Sequence, residues 1–250
     1  ALRILRGIRF AAQLGFELED ETREGMRLLA PTLRKISAER IQVELVKTLT
    51  SSRPDLLREA WKLGITKEFL PEFDLAMETT QETVHHMYTV GEHILHTLLE
   101  VRPDRILRLT MLLHDIGKPY MKTMDADGVA HFKGHPEKSS ELANEILHRL
   151  KFDNDTIRKV TKLVRYHDHR MPVTPAHVRR AVHEIGEDLF PLYLEVRRAD
   201  VAAQSMYQHK EKVADIDGVE KLYHEIMERK ECVSLKMLAV TGKDLIAAGM

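Results

Sequence analysis

Apolar residues recur at three- and four-residue spacing along most of the chain. Leu2, Leu5, Ile8 and Ala12 set the pattern. It returns in Ile41, Leu45 and Leu49, and again in Ile157, Val160, Leu163 and Val164. That period gathers apolar side chains on one face of an α-helix. Gly15, Pro54, Gly64, Pro71, Pro103, Pro172, Pro175 and Pro191 fall between such stretches, where they separate one helix from the next. The pattern predicts an all-α fold. Its one strand signal is Tyr120 to Phe132, where Asp127-Gly128 suits the turn of a short β-hairpin.

The chemistry of the polar positions divides the chain. Residues 1–75 carry arginines on helices and few histidines. Residues 80–205 hold twelve of the fourteen histidines, with only His209 and His224 beyond them. The acidic, threonine-rich stretch from Pro71 to Thr83 marks the boundary. Residues 206–250 read as a linking helix and, from Ser234, a short further piece. Both ends read as cut: Ala1 already sits inside a helical pattern with no capping residue before it, and Thr241-Gly242-Lys243-Asp244-Leu245 opens a helix with little left to pack on. The expectation is a fragment of a longer protein.

Composition narrows the class. The chain has 250 residues, with 38 Lys plus Arg against 39 Asp plus Glu, a formal charge of −1. The apolar fraction of 43% is enough to bury a core, which argues against disorder. A single cysteine, Cys232, excludes an internal disulfide and a Cys-rich zinc module, and fits a reducing cytoplasm. No apolar run approaches the roughly 18 residues of a membrane helix. Arg3, Arg6 and Arg9 interrupt the opening residues, which therefore do not read as a secretory signal.

The sharpest motif is Leu112-Leu113-His114-Asp115-Ile116-Gly117-Lys118, in which an apolar helix ends on adjacent His and Asp. An imidazole nitrogen beside a carboxylate suits a divalent ion of intermediate hardness, and the carboxylate can bridge a second ion. Glycine would let the backbone turn sharply after the helix. Lys118, one turn on, is placed to meet a phosphate oxygen. Further ligands are available in His93, on a separate amphipathic helix, in His135, in His167 and in Asp200. Asp200 follows the apolar run Leu192, Leu194, Val196, where a buried carboxylate is costly unless paired or metal-bound. Arg197 or Arg198 could instead pair with it. His85, His86, His96 and His169 are read as solvated or as substrate contacts.

The order His, His-Asp, Asp resembles the HD superfamily of metal-dependent phosphohydrolases over residues 85–205. The resemblance implies a helical HD domain in which His93, His114, Asp115 and Asp200 hold a first ion. It also implies that His135 and His167 match the extra histidines of two-ion members. Asp115 and Lys118 are the catalytic candidates. The ion could be manganese, nickel, magnesium, cobalt, zinc or iron, one or two per chain.

The opening stretch carries a second signal. Arg3, Arg6 and Arg9, three apart on a helix, make a basic band opposite the apolar stripe, and such a band suits polyanions. Ala1 to Phe16, followed by Ile36-Ser37-Ala38-Glu39-Arg40-Ile41 and Glu44-Leu45, resembles the neck of bacterial tRNA nucleotidyltransferases and poly(A) polymerases. Some members carry an HD domain after the neck and then a Thr-Gly-Lys-Asp-Leu-like tail element, the order found here. The resemblance implies a multi-helix neck at 1–75, an HD domain at 80–205 and the start of a tail domain at 206–250. It implies a parent that adds CCA or A to tRNA, whose N-terminal nucleotidyltransferase head does not fall in this sequence. Nucleotidyl transfer is therefore not expected of the chain alone.

Partners implied are the tRNA 3′ end, bound in part through Arg3, Arg6 and Arg9, and nucleotides or other phosphate esters. Members with an active HD domain act on 2′,3′-cyclic phosphates, 2′-nucleotides and related esters. Family members often have Asp where this chain has Thr89. Two other readings stand beside this one: an HD domain serving only as a tRNA-binding or dimerising scaffold, and an HD phosphohydrolase of signalling nucleotides. Oligomerisation is left open, and no membrane partner is expected.

Overall fold

A computed structural model describes residues 1–83, 87–229 and 233. His85, His86, Cys232, the piece from Ser234 to Met250 and its Thr-Gly-Lys-Asp-Leu element lie outside the described residues. The fold is all-α with a single two-stranded hairpin among the described residues.

The first helices follow the sequence pattern. In α1 (Leu2–Leu14) the residues Ile4, Leu5, Ile8, Ala11 and Ala12 are buried, and Gly15 stops the helix at φ 71°, its N–H donating to Ala11 O at 2.9 Å. This left-handed closing residue is one that glycine adopts at little steric cost. Helix α1 packs on α3 (Ala38–Leu49), with α2 (Asp20–Leu29), α4 (Leu57–Lys62) and α5 (Pro71–Glu78) around them.

Five helices build the centre: α6 (Val90–Glu100), α7 (Arg105–Leu113), α9 (His135–Arg149), α10 (Asn154–Tyr166) and α12 (Phe190–Ala202). Their starts are encoded locally. Asp104 accepts the N–H groups of Ile106 and Leu107, Asp153 that of Thr156, and Thr89 that of Glu92. Such caps contribute about 1 kcal/mol each. Thr89 thus caps α6. Short α8 (Lys118–Met121), α11 (Pro175–Ile185) and α13 (His209–Glu228) complete the helices.

The hairpin falls where Asp127-Gly128 predicts it. β1 (Thr123–Met124) pairs antiparallel with β2 (Ala130–His131), Thr123 opposite His131 and Met124 opposite Ala130. Gly128 has φ 77°, and Asp125 Oδ1 accepts the N–H groups of Asp127 and Val129. Ala130 N–H donates to Glu82 O at 2.9 Å and ties the hairpin to the strap before α6.

One continuous apolar core runs from Ile4 on α1 through Leu49, Phe73, Ile94, Leu98 and Leu112 to Val164 and Ala199. A second core joins α11, α12 and α13, with Phe190 ringed by Tyr193 and Tyr223 at centroid distances of 5.3 and 4.8 Å. Helix α12 contributes to both and is the element through which α13 reaches the centre of the molecule. No described helix is long and apolar enough to cross a membrane.

Candidate metal centre

Helix α7 is buried from Leu107 to Leu113, so it ends inside the protein rather than at its surface. His114 and Asp115, the next two residues, are 0% and 1% exposed. Around them gather His93 from α6, His135 from the first position of α9, His167 just beyond α10, and Asp200 from α12. The structure brings all six side chains together.

They form two groups sharing Asp115. In one, His93 Nε2 lies 2.9 Å from Asp200 Oδ1 and 3.6 Å from Asp115 Oδ2. His114 Nε2 lies 3.4 Å from Asp115 Oδ2 and 3.8 Å from Asp200 Oδ1. In the other, Asp115 Oδ1 lies 3.3 Å from His135 Nε2 and 3.4 Å from His167 Nε2.

The backs of the rings are fixed. His114 Nδ1 lies 2.8 Å from Met111 O, His135 Nδ1 2.9 Å from Phe132 O, and His167 Nδ1 2.6 Å from Val164 O. A carbonyl only accepts, so each Nδ1 carries a hydrogen, and in a neutral ring Nε2 presents its lone pair inward. His93 sits with Nδ1 3.3 Å from Ala203 O and Nε2 on Asp200, an oxygen at each nitrogen. Apart from the Lys118 ion pair, both Asp115 oxygens are buried without a hydrogen bond, as is His114 Nε2. Inward lone pairs beside buried carboxylates repel one another unless a cation lies between them. Imidazole nitrogens backed by carbonyls and a shared carboxylate are a donor set that divalent transition metals take. The residues therefore fit the ions that the sequence implies.

The carboxylates are held ionised. Burial pushes the Asp115 carboxyl up, but the Lys118 ammonium together with the His114 and His135 rings holds it well below the usual range. Burial likewise opposes ionisation of Asp200, and the His93 and His114 rings together hold its carboxyl well below the usual range.

Lys118 departs from the simple expectation. Its Nζ is 2.7 Å from Asp115 Oδ2, donates to Gln81 Oε1 at 2.9 Å, and lies 5.5 Å over the Phe132 ring. At 5% exposure it clamps Asp115 first and borders the adjoining cavity second. Gly117 also differs. Its φ of −84° is ordinary, so no special turn requires glycine. A Cβ there would lie 2.5 Å from Ser139 N, so glycine is needed for the close approach to α9.

A cavity of about 450 Å³ opens beside the second group, with Asp115, His135 and His167 in its lining. Its wall also carries His131, Lys133, Arg170 and Gln204, which the sequence reading passed over. They come from the hairpin and the residues just after it, from the segment after α10 and from just past the end of α12, and nothing in their spacing announces them.

The basic band on α1 is narrower than its sequence suggests. Arg3 and Arg6 are exposed, but Arg9 is 7% exposed and its Nε lies 3.0 Å from Glu44 Oε2. Arg198 pairs with Asp217 and Glu220, and Arg197 with Asp168, while Asp200 is paired with His93 and Gln204. His96 stacks on Tyr88 at 4.2 Å, and His169 is exposed.

Comparison with known proteins adds a separate line. Residues 15–77 match the family described as "Probable RNA and SrmB- binding site of polymerase A", and residues 83–202 match the HD domain. An A-adding tRNA nucleotidyltransferase of Deinococcus radiodurans is 36% identical over 79% of this chain and 49% of its own length. A CC-adding tRNA nucleotidyltransferase of Thermus thermophilus is 36% identical over 80% of this chain and 48% of its own. A multifunctional CCA protein of Ectopseudomonas mendocina is 34% identical over 67% of this chain and 43% of its own. The chain thus spans about half the length of the curated relatives it matches. With an RNA-binding segment followed by an HD domain, it belongs to the tRNA nucleotidyltransferase and poly(A) polymerase family.

Proposed function

We propose that this chain is the neck and HD portion of a tRNA nucleotidyltransferase, and that its HD domain hydrolyses phosphate esters with one or two divalent ions. The observation that carries this is the sharing of Asp115 between two groups of imidazole nitrogens whose lone pairs converge. His93, His114, Asp115 and Asp200 would hold one ion, and Asp115, His135 and His167 a second. Bound there, a divalent ion supplies a Lewis acid that polarises phosphoryl oxygens and lowers the pKa of water.

The protein's own groups do the rest. Lys118 keeps Asp115 charged and oriented. Lys133 and Arg170 on the cavity wall offer N–H donors to phosphoryl oxygens, where charge-assisted hydrogen bonds are strongest. The burial of Lys118 and Asp115 makes their ion pair stronger than it would be in water. The cavity volume suits a nucleotide-sized ester. On α1, exposed Arg3 and Arg6 would meet the phosphates of the tRNA 3′ end. The nucleotide-adding activity of the whole protein, whether CCA, CC or A, belongs to a head outside this sequence.

The test is a panel of 2′,3′-cyclic AMP, 2′-AMP and guanosine tetraphosphate, with and without added Mn²⁺ or Ni²⁺. Metal-dependent turnover of the first two supports the reading. Turnover of the tetraphosphate alone would assign the site to signalling nucleotides. Metal-free protein that binds tRNA and hydrolyses none of the three would leave the domain as a scaffold.

A further inference from the structure

We propose that Gln204, aligned by Lys212, is a positioning residue that fixes Asp200 for its proposed metal site. This rests on the metal reading above, and the experiment below separates the two.

Asp200 uses its two oxygens differently. Oδ1 faces the cluster, 2.9 Å from His93 Nε2. Oδ2 points the other way and accepts a hydrogen bond from Gln204 Nε2 at 2.9 Å. Rotation about the terminal torsion of an aspartate is soft and roughly two-fold. An unrestrained Asp200 carboxylate could therefore swing out of line with the cluster, and the Gln204 bond holds it.

The amide itself needs orienting, because a glutamine side chain can present either its oxygen or its nitrogen. Lys212 Nζ donates to Gln204 Oε1 at 2.8 Å. A flipped amide would put Oε1 against the Asp200 carboxylate and Nε2 against the Lys212 ammonium, two repulsive contacts in place of two attractive ones. Lys212 thus selects the donor face that Asp200 receives. Lys212 is 8% exposed and Asp200 5%, so the line runs largely shielded from water, where hydrogen bonds to charged groups count for more.

The elements make this a device rather than a coincidence of neighbours. Gln204 lies four residues after Asp200, just past the end of α12, and Lys212 lies in the first turn of α13. Helix α13 packs in the second core, away from the other proposed ligands. Its docking is what delivers an ammonium group to the back of the centre. Partners behind metal-binding side chains alter metal affinity by about 10- to 100-fold when removed.

The experiment is a Mn²⁺ titration of the full chain without substrate, following free Mn²⁺ by electron paramagnetic resonance. Gln204→Leu should weaken Mn²⁺ binding by about 10- to 100-fold. Lys212→Met should weaken it less, and the double variant should match Gln204→Leu, because the proposed relay from Lys212 runs through the amide. Melting in EDTA should stay close to wild type for each; should Gln204→Leu fail to fold, Gln204→Met, which keeps the chain length, takes its place. Wild-type Mn²⁺ affinity in Gln204→Leu, or additive losses in the double variant, would overturn the proposal. Asp200→Ala is the control. Loss of Mn²⁺ there with retention in Gln204→Leu leaves the metal centre standing and removes the relay. A wild-type chain that takes up no Mn²⁺ removes both.

Discussion

Nε2 of His135 lies 3.2 Å from Nε2 of His167, while the far nitrogen of each ring points at a backbone carbonyl. Two neutral imidazoles cannot both be satisfied in this arrangement, because two lone pairs then face each other. A cation relieves the conflict, and a carboxylate oxygen, Asp115 Oδ1, sits within 3.4 Å of both.

Divalent metal should therefore stabilise the fold as well as occupy it. Added Mn²⁺ at 100-fold over its dissociation constant should contribute about 2.7 kcal/mol, a rise of roughly 5–10 °C in melting temperature for a chain of this size. His135→Ala should lower the metal content by one ion per chain without removing the other. Elemental analysis after desalting reads both. Equal metal content in wild type and His135→Ala would exclude a second ion at this pair.

Asp115 is the one residue common to both groups, so its loss should be the most damaging. Asp115→Asn should abolish metal-dependent ester hydrolysis and lower affinity at both sites, with the helical circular dichroism retained. Removing its charge also leaves Lys118 buried without its anion, a change that costs about 3–5 kcal/mol in comparable pairs. A Lys118→Met, Asp115→Asn double variant should recover part of that stability and none of the activity. Thermal melts and a chromogenic phosphodiester assay separate the two effects.

Gly117→Ala tests packing beside the site. The new methyl would meet Ser139 N at 2.5 Å and Lys138 C at 2.9 Å, both backbone atoms that cannot swing aside. The expected cost is about 1–3 kcal/mol. The 114–118 turn should shift away from α9, with metal affinity falling alongside stability. A variant as stable as wild type would mean that α9 moves freely.

Arg58 on α4 holds Glu92 on α6 through two hydrogen bonds, 2.8 and 2.6 Å. The Arg58 guanidinium lowers the Glu92 carboxyl below its ordinary value. A lowered folded-state value means that the pair stabilises above the unfolded value of about 4.3 and is lost as pH falls through the folded one. Arg58→Ala should cost about 1–2 kcal/mol at pH 7 and proportionately less below pH 4. Urea melts at pH 7 and pH 3.5 measure the difference, and an equal loss at both would assign it to packing.

The arginines of α1 should divide by burial. Arg9→Ala leaves Glu44, itself 6% exposed, without its nearest cation and should destabilise the neck. Arg3→Ala should leave stability unchanged and Arg6→Ala, whose Nε lies 3.9 Å from Glu44 Oε1, should lower it less than Arg9→Ala; both should weaken tRNA binding and flatten its salt dependence by roughly one unit of slope per lost phosphate contact. Filter binding at several salt concentrations decides between them. An unchanged slope in the Arg3→Ala, Arg6→Ala variant would remove these residues from the proposed tRNA surface.

The sequence by itself determined the helices, because apolar periodicity and capping residues such as Asp104 and Asp153 act within a few positions. It also placed the hairpin at Asp127-Gly128 and pointed to His114-Asp115, where an imidazole and a carboxylate stand side by side. Which oxygen of Asp115 each histidine faces, the inward turn of Arg9 to Glu44, the clamp of Lys118 on a carboxylate, and the place of Gln204 and Lys212 behind Asp200 emerge in the folded chain. Local propensity is written in neighbouring residues. Orientation of a buried side chain is set by groups that arrive from helices dozens of positions away, and it is burial that makes those long-range contacts strong enough to choose one arrangement.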